Sequence, residues 1–266
     1  MFPPILSTQK AFLQEIQFDI LTININRPKQ ERNMSDAEAL KKLAGEAACS
    51  YVKSGMNVGL GTGSTVKYTV LELGRRIKEE GLEIVGVPTS VATEKLANEV
   101  GIPLVELGSV AGLDIVIDGT DEFDPQFQLI KGGGAALLRE KIVAQQSASM
   151  VVVADGRKQV DCLGAFGIPI EVTPFSSDVT IRALEALLNC DVTLRSDERG
   201  LLHTDNGNCI ADAQVGATID DPLLMETQIL NIAGVVQVGL FNDMCDVVVL
   251  ANEGKVTTLV NPNGRL

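Results

Sequence analysis

Asp118-Gly-Thr-Asp-Glu-Phe-Asp-Pro-Gln-Phe-Gln-Leu-Ile-Lys-Gly-Gly-Gly-Ala-Ala-Leu-Leu-Arg-Glu140 is the stretch of this sequence that decides its fold. It follows the mainly apolar run Leu113 to Ile117, which predicts a buried strand, and a helical pattern begins near Ala135. Side chains just beyond such a strand lie where open α/β sheets bind ligands, outside the carboxyl ends of the strands. The stretch therefore predicts a strand, a loop that forms a site, and a helix.

The same stretch concentrates charged groups and glycines. Four acids follow the strand at once, namely Asp118, Asp121, Glu122 and Asp124, and a fifth, Glu140, ends the stretch. Lys131 precedes three glycines that let the backbone approach a ligand, and the helix start behind them offers unpaired N–H groups to an anion. Each piece alone is better explained as a surface turn, a flexible loop or a solvated charged helix. Their combination in one connection favours a site.

Composition and charge narrow the class of partner. The chain has 266 residues, 45% of them hydrophobic, which suffices for one large or two modest domains. Its 22 basic and 35 acidic residues give a net charge of −13, which argues against nucleic acid or an anionic membrane as partner. No run of about 18 apolar residues is available to cross a bilayer. An anionic small-molecule ligand would therefore need a local positive pocket.

The cysteines and the single histidine limit the chemistry. The five cysteines are Cys49, Cys162, Cys190, Cys209 and Cys245. They are scattered and form no C-x-x-C pair, which disfavours a zinc or redox site and fits a reducing, cytoplasmic location. His203 is the only histidine, which rules out a His-rich metal site and disfavours a Ser-His-Asp triad. Proton transfer then falls to carboxylates or lysine.

The order of predicted elements divides the chain. Strands and helices alternate up to about Gly167, which predicts an α/β fold with a doubly wound, Rossmann-like parallel sheet. The later order β-α-β-β-α-β predicts a smaller, ferredoxin-like α+β domain. We expect residues 34–166 and 241–266 to form the Rossmann-like catalytic domain, its last strands returning to the first sheet, and residues 167–240 the small domain.

The N-terminal region differs from the rest of the chain. Residues 1–33 are expected to be a poorly ordered extension, unless the chain truly starts at Met34. A capping-box pattern at Ser35-Asp-Ala-Glu38 then starts the first helix, which Gly55 is expected to end. Residues 102–107 are expected to be extended.

Gly59-Leu-Gly-Thr-Gly-Ser-Thr65 is a glycine-rich turn with several interpretations. A dinucleotide fingerprint needs its third glycine one residue later and an acid ending the next strand, and a Walker loop needs Gly-Lys-Ser/Thr. A phosphate cradle remains, in which N–H groups of the helix start and the hydroxyls of Thr62, Ser64 and Thr65 bind a phosphate monoester. A simple turn with Ser64 or Thr65 as helix N-cap explains the pattern equally well.

Three other features have ordinary explanations when read alone. Lys158 follows the strand Met150 to Ala154 and is then best explained as a surface lysine. His203 is interpreted as structural. Thr204-Asp-Asn-Gly-Asn208 has the composition of a hairpin turn, which we favour over a ligand site.

Taken together, these residues give the chain a resemblance to the type A ribose-5-phosphate isomerases, from about Ser35 to the C-terminus. The matching pieces, in order, are Gly61-Thr-Gly-Ser-Thr65, Asp118-Gly-Thr-Asp-Glu122, Lys131-Gly-Gly-Gly-Ala135, Arg139-Glu-Lys-Ile142, Asp155 with Lys158, and Thr204-Asp-Asn-Gly-Asn208. Thr120 replaces the alanine that is usual in the family, and Arg157 stands where serine is frequent.

The resemblance implies interconversion of D-ribose 5-phosphate and D-ribulose 5-phosphate in the non-oxidative pentose phosphate pathway. It implies an enzyme without cofactor or metal that forms a homodimer or homotetramer, with Glu140 as the proton acceptor. The substrate contacts that it implies are Thr62, Gly63, Ser64, Thr65, Asp118, Gly119, Thr120, Asp121, Lys131, Gly132, Gly133, Gly134 and Lys158.

The chemistry can also be argued from the residues. Aldose–ketose isomerisation moves a proton between C1 and C2 through a cis-enediolate, and one carboxylate can take and return it. Glu140 follows two leucines, so desolvation should raise its pKa toward neutrality. Asp118 and Asp121, at a strand end where we expect solvent and hydrogen-bond donors, should have low pKa values; both are candidates for moving the O1/O2 proton and opening the ring. Lys131 can stabilise the enediolate charge.

Three other functions fit parts of the sequence. A non-catalytic sugar-phosphate sensor on a similar fold would normally carry a DNA-binding helix pair, of which residues 1–33 show no pattern. An NAD-dependent oxidoreductase is disfavoured by the glycine spacing. Another sugar-phosphate isomerase or a deaminase is separated from the first interpretation only by the family resemblance.

Overall fold

The structure, a computed structural model, describes residues 36–266 of the chain. Its helices are α1 (Asp36–Ala48), α2 (Val66–Glu80), α3 (Val91–Val100), α4 (Leu137–Gln145), α5 (Ser177–Leu188) and α6 (Pro222–Leu230). Its strands are β1 (Asn57–Leu60), β2 (Val85–Pro88), β3 (Ile115–Gly119), β4 (Glu122–Phe123), β5 (Leu129–Ile130), β6 (Met150–Asp155), β7 (Ile168–Val172), β8 (Val192–Leu194), β9 (Ser196–Asp197), β10 (Gly200–Leu201), β11 (Cys209–Ala213), β12 (Val235–Val238), β13 (Leu240–Phe241), β14 (Val247–Asn252) and β15 (Lys255–Val260). None of these helices is long and apolar enough to cross a bilayer.

The largest sheet has the strand order β15-β14-β6-β3-β1-β2. Its neighbours are parallel except β14 and β15, which are antiparallel. Apolar residues fill the inner strands because both of their faces are buried, whereas the edge strand β15 is mostly exposed. Ile115 and Ile117 of β3 join the apolar cluster that α1 and α2 cover, whereas Val116 joins the cluster that contains Leu137 and Val143 of α4. Helices thus cover both faces, and the doubly wound, Rossmann-like prediction is confirmed.

A second sheet has the order β12-β7-β11-β8 and is antiparallel throughout. Counted within this segment, the order is fourth, first, third, second, with a helix after the first and third strands, as in the predicted ferredoxin-like unit. Leu184 of α5 and Ile229 of α6 are buried in the same apolar cluster as Ile170 of β7. We refer to this part of the structure as the small sheet.

A three-stranded sheet, β13-β5-β4, connects the loop after β3 with the segment that follows the small sheet. Ile130 of β5 is opposite both Glu122 of β4 and Leu240 of β13. The described residues belong to one compact unit. The boundaries 34–166 with 241–266, and 167–240, therefore stay a prediction, and the predicted extension 1–33 lies outside the described residues.

Three predicted elements end elsewhere in the structure. The helix expected to reach Gly55 ends at Ala48 and continues only as a 3-10 turn, Cys49–Tyr51. The strand expected over 113–117 runs from Ile115 to Gly119, because its pairing with β6 continues to the end of that range. The expected extended segment 102–107 pairs only through a bridge between Leu104 and Gly86.

Candidate active site

A cleft of about 600 Å³ opens beyond the carboxyl ends of the parallel strands. The predicted substrate contacts that line it are Thr62, Gly63, Ser64, Thr65, Gly119, Thr120, Asp121, Lys131, Gly132, Gly133, Gly134 and Lys158. Glu140 lines it as well, whereas Asp118 is buried beneath it. The loops after β1, β3, β5 and β6 thus meet here, as expected for this end of a parallel sheet.

Lys131 lies between two carboxylates at the floor of the cleft. Its Nζ donates a hydrogen bond to the carbonyl of Gly119 at 2.6 Å and lies 3.1 Å from both Asp118 Oδ2 and Glu140 Oε2. Those two buried oxygens are ion-paired with Lys131 but accept no well-aligned hydrogen bond from the described residues. Burial acts to lower the pKa of Lys131, but Asp118 and Glu140 outweigh it and hold that pKa above its usual range.

Glu140 reaches the cleft from the first turn of α4. Its side chain is buried, and burial raises its pKa to about 8; the negative charge of Asp118 acts in the same direction, while Lys131 opposes it. The prediction that desolvation would raise the pKa of this carboxyl is confirmed. A carboxylate of this kind is suited to exchange a proton near neutral pH.

Asp118 does not have the environment expected from the sequence. It is fully buried, and burial raises its pKa, although Lys131 and two backbone amides oppose the shift. Those amides, Thr62 N–H and Gly119 N–H, donate to Oδ1 at 3.0 and 2.7 Å. The expected low pKa is therefore wrong. The reason is that β3 continues past Asp118 and that Gly61 packs against its carboxylate, where any larger residue would collide.

The Lys131–Gly134 loop fixes Asp121 and presents free donors. Asp121 Oδ2 accepts a hydrogen bond from Gly133 N–H at 2.7 Å, and its Oδ1 lies 3.8 Å from Lys158 Nζ. Gly132 has φ +115°, and a side chain there would collide with Leu137 and Pro169. The N–H groups of Gly132 and Gly134 have no hydrogen-bond partner within the described range. Both can therefore donate to a ligand in the cleft.

The start of α2 forms the other end of the cleft. Thr65 is the N-cap residue, but its hydroxyl makes no capping hydrogen bond. The N–H groups of Gly63, Ser64 and Thr65 find no acceptor among residues 36–266. The geometry therefore favours the phosphate cradle over the simple capped turn, because the donors of the helix start stay available to an anion.

Residues 85–255 match the family described as Ribose 5-phosphate isomerase A (phosphoriboisomerase A). The chain belongs to this family. It is 45% identical over 223 residues to Ribose-5-phosphate isomerase A 1 of Oceanobacillus iheyensis, covering 84% of this chain and 99% of that protein. It is 47% identical over 230 residues to Ribose-5-phosphate isomerase A of Cereibacter sphaeroides, covering 84% of this chain and 92% of the other.

Solved structures of the family share the fold. Ribose 5-phosphate isomerase A of Methanocaldococcus jannaschii superimposes with a TM-score of 0.80 at 42% identity, covering 84% of this chain and 99% of that one. A D-ribose-5-phosphate isomerase in complex with phospho-erythronic acid gives a TM-score of 0.82 at 40% identity, covering 85% and 100%. The predicted family, fold class and class of enzyme are confirmed, whereas the roles of individual site residues stay predictions.

Thr120, one of the two departures from the ribose 5-phosphate isomerase A pattern, has a local explanation. Its hydroxyl shares its single proton between the backbone carbonyls of Glu122 at 2.5 Å and Ile130 at 2.9 Å. The hydroxyl that alanine lacks is thus used to join β4 and β5.

Arg157 is the second departure from the family pattern. It forms a bidentate pair with Asp155, with Nε and Nη2 at 2.7 and 2.9 Å from the two carboxylate oxygens, and its side chain is 64% exposed. This pair lowers the pKa of Asp155. With Lys158, whose Nζ lies 5.7 Å from the ring centroid of Phe166, it places positive charge at the cleft. The cleft is nevertheless not the positive pocket expected for an acidic chain, because four acidic residues line it beside four basic ones. The acids are Asp121, Glu122, Glu140 and Asp155, and the bases are Lys41, Lys131, Arg157 and Lys158.

Several residues at the site were not predicted from the sequence. Lys41 of α1 lines the cleft, but it lies far from the other motifs along the chain. The Thr62 hydroxyl lies within 2.7, 2.8 and 3.3 Å of three buried hydroxyls, which belong to Thr89, Ser90 and Thr93. Thr62 therefore turns its hydroxyl into the protein and gives its N–H to Asp118. The hydroxyl residues that follow β2 were the only sequence feature that could have predicted this hydrogen-bonded cluster.

The 204–208 segment is a turn, as predicted. His203 lies beside this turn and does not line the cleft. Thr204 N–H donates to Asn208 O at 2.9 Å, and His203 forms a bridge with Cys209. The buried carboxylate of Glu171 accepts hydrogen bonds from Thr204 Oγ1 at 2.9 Å and Asn208 Nδ2 at 2.8 Å. The turn is thus fixed to the small sheet.

Proposed function

We propose that this protein interconverts D-ribose 5-phosphate and D-ribulose 5-phosphate through a cis-enediolate, with Glu140 as the general base. The observation that carries the proposal is the buried Glu140 carboxyl, 3.1 Å from the Lys131 ammonium, in a cleft that ends in unpaired N–H groups. The names of the relatives support the substrate, and the phospho-erythronic acid bound to a relative is a phosphorylated sugar acid. The reaction belongs to the pentose phosphate pathway.

Glu140 and Lys131 divide the chemistry between them. Glu140 removes the C2 proton of the open-chain aldose, the electrons of the C2–H bond form the C1=C2 double bond, and the carbonyl electrons move to O1. Lys131 stabilises the negative charge that develops on this oxygen. After a proton has moved from O2 to O1, Glu140 returns its proton to C1 and the ketose forms.

Asp121 and Asp118 have different parts in this proposal. Asp121 lines the cleft and moves the proton between O1 and O2. Asp118 lies beneath the cleft and contacts Lys131, so it holds the ammonium in place. This assignment keeps both aspartates in the catalytic group that the sequence predicted, with Asp118 acting through Lys131.

The phosphate group is bound at the other end of the cleft. Free N–H groups at the start of α2, together with Lys41 and Lys158, provide the donors and the positive charge. Binding energy from this remote group positions C1 and C2 against Glu140 and so contributes to turnover.

The remaining parts of the proposal concern assembly and setting. The protein acts in the cytoplasm, without cofactor or metal, as a homodimer or homotetramer. Exposed apolar side chains support an assembly, among them Phe175, which is 87% exposed, and Val179. Light scattering on the purified full chain would measure the number of subunits, and a monomer at working concentration would contradict this part.

A coupled assay tests the activity. The full chain is offered ribose 5-phosphate and a panel of other aldose phosphates, each with and without a chelator. We expect rapid conversion of ribose 5-phosphate that the chelator does not change. No conversion would overturn the function, faster conversion of another aldose phosphate would change the substrate, and loss with chelator would contradict the absence of a metal.

A further inference from the structure

We infer that Arg195, held by Asp212, is a positioning residue for the substrate loop Gly132–Gly134, although it lies on the small sheet. The inference rests on the proposed function, since it assigns a task to a residue outside the cleft for that reaction. Arg195 follows β8 directly, and Asp212 lies in β11.

The Arg195 guanidinium connects the small sheet with the loop. Its Nε and Nη2 donate to Asp212 Oδ2 at 2.8 Å and Oδ1 at 2.5 Å, a bidentate pair that fixes the plane of the guanidinium. Its Nη1 donates to the carbonyls of Gly132 at 2.9 Å and Gly133 at 3.1 Å. The side chain is only 17% exposed, whereas the Gly133 carbonyl that it contacts lies at the surface.

The two carbonyl contacts determine where two N–H groups point. In a trans peptide, the C=O and the following N–H point in opposite directions. With the Gly132 carbonyl turned to Arg195, the Gly133 N–H points away from it and donates to Asp121 Oδ2 at 2.7 Å. By the same geometry the Gly134 N–H also points away from Arg195, and this group has no acceptor in the described part of the chain. Arg195 therefore orients one donor for Asp121 and one for the substrate.

The loop needs such a constraint because its conformation is unusual. Gly132 has φ +115°, and Ala135 has φ +58°, a region that residues other than glycine rarely adopt. Such a conformation persists where the surrounding structure holds it. The Lys131 N–H, which donates to Gly239 O at 2.8 Å, fixes one end of the loop. The Gly132 carbonyl also accepts from the Ala135 N–H at 3.0 Å within the loop, whereas Arg195 is the contact that holds both the Gly132 and the Gly133 carbonyls from the small sheet.

The test compares variants of the Arg195–Asp212 pair with a variant of a second arginine–aspartate pair, Arg199–Asp197. Arg195→Met removes the guanidinium, Arg195→Lys keeps the charge but not the planar fork, and Asp212→Asn weakens the support. Arg199→Met is the control. Arg199 also pairs with an aspartate, Asp197, at 2.8 Å, but it is 90% exposed and lies in the turn of the short hairpin β9–β10, away from the loop. For each variant, kcat and KM for ribose 5-phosphate, affinity for phospho-erythronic acid and thermal stability are measured.

We expect Arg195→Met to lower kcat/KM by about 10²-fold, with a fall in kcat as well as a rise in KM, because misplaced donors act on the reacting geometry. Arg195→Lys should recover little of this loss. Arg199→Met should stay within about twofold of the wild type. Guanidinium ions added at millimolar concentration to Arg195→Ala should restore part of the kcat, which a merely structural loss would not show.

Distinct outcomes overturn the inference. Unchanged kcat and KM in folded Arg195→Met would refute it, and so would a loss of activity that only follows the folded fraction. If Arg195→Met does not fold, Arg195→Lys and Asp212→Asn decide in the same way, with circular dichroism as the check on folding. If the wild type does not convert ribose 5-phosphate, the proposed function fails; unchanged affinity of the variants for phospho-erythronic acid would then refute the inference separately.

Discussion

Lys131 and Lys141 lie ten positions apart and share unusual surroundings, yet they have opposite electrostatics. Each is 2% exposed, and their Nζ atoms lie 5.2 and 4.9 Å from the ring centroid of Phe241. Lys141 Nζ lies 2.6 to 3.0 Å from four oxygens, which share its three protons: Glu226 Oε1, Gln237 Oε1, Val238 O and Leu240 O. Lys131 has one carbonyl at 2.6 Å and two carboxylates at 3.1 Å.

The difference lies in the charge that surrounds each ammonium. Burial lowers the pKa of Lys141, and its single carboxylate partner opposes this only in part. Lys131 has two carboxylates, which overcome the same burial and raise its pKa. Lys141 is saturated with acceptors and so stabilises the packing of α4 on the small sheet. Lys131 is held by a carbonyl and two carboxylates at the floor of the cleft, where a substrate oxygen can reach its ammonium.

The largest effect is expected from Glu140→Gln, which keeps the shape of the carboxyl partner of Lys131 but removes its basic oxygen. A general base contributes about 10²–10⁴-fold, so kcat should fall by that factor while phospho-erythronic acid still binds. Exchange of the substrate C2 proton with solvent, followed by NMR, should be abolished. Glu226→Gln, at the partner of Lys141, is the control and should leave kcat unchanged. Wild-type exchange in folded Glu140→Gln would show that another group, Asp121 first, is the base.

Exchanging each lysine for methionine sharpens the comparison. Lys131→Met should lower kcat by about 10²–10³-fold, because the developing enediolate charge loses its stabilising cation. Lys141→Met should instead lower the free energy of unfolding by about 3 kcal/mol, at the lower end for a broken buried pair because Glu226 is partly exposed. Urea titrations and steady-state kinetics measure the two effects. A stable but inactive Lys141→Met, or a fully active Lys131→Met, would contradict the assignment of a catalytic role to Lys131 and a structural role to Lys141.

The pH dependence of turnover should report on Glu140. The pKa of this carboxyl is raised to about 8, so the base form is present above that pH and is lost as the pH falls. The rate constant kcat/KM should therefore decrease about tenfold per pH unit below about pH 8. In Glu140→Gln the decrease of kcat/KM below about pH 8 should disappear, whereas Glu226→Gln should retain it. A wild-type profile that is flat between pH 6 and 9 would contradict the assignment.

Lys158→Ala should have a smaller effect than Lys131→Met, since Lys158 is 31% exposed and lies at the wall rather than the floor of the cleft. Loss of one charge-assisted hydrogen bond to an anion should raise KM about tenfold with little change in kcat. Lys53→Ala, at an exposed lysine outside the cleft, is the control. An unchanged KM in folded Lys158→Ala would remove this residue from the site.

The smallest effect is expected from removal of residues 1–33. The partners of Lys131 and Lys141 described above come from residues 118–240, and the matching motifs begin after Ser35. The truncated protein should fold and keep nearly all of its turnover. An insoluble product, or one with most of its activity lost, would contradict this expectation.

The sequence allowed Lys131 and Glu140 to be predicted as neighbours in the candidate site because they are close along the chain. Glu140 lies one helical turn into α4, directly after the glycine loop that follows Lys131, so local geometry alone brings the two together. The same charged triplet, Arg139-Glu-Lys141, is usually a solvated face, yet Glu140 and Lys141 are both buried. Glu140 is buried toward the cleft, and Lys141 is buried against the small sheet and the residues that follow it. No local sequence pattern describes either environment.

The parts of the site that escaped prediction depend on distant contacts. The burial of Asp118 follows from the length of β3 and from its contact with Gly61, which directly follows another strand, β1. Lys41 and Arg195 come from elements far along the chain and carry no motif of their own. The fold class was predictable because periodicity and element order determine it, whereas the ends of elements depend on pairing partners.

The position of β14 in the large sheet, between β15 and β6, has a consequence for synthesis of the chain. β6 pairs with β3 on one side and with β14 on the other, but about 90 residues separate β6 from β14 in the sequence. At about 5–20 residues per second, a ribosome needs about 5–20 s to make that segment. During this time the apolar run from Met150 to Ala154 has an unpaired edge, which is a site for aggregation until the C-terminal strands arrive. A nascent chain that stalls after the small sheet would keep that edge open, so the last strands decide whether the finished protein escapes aggregation.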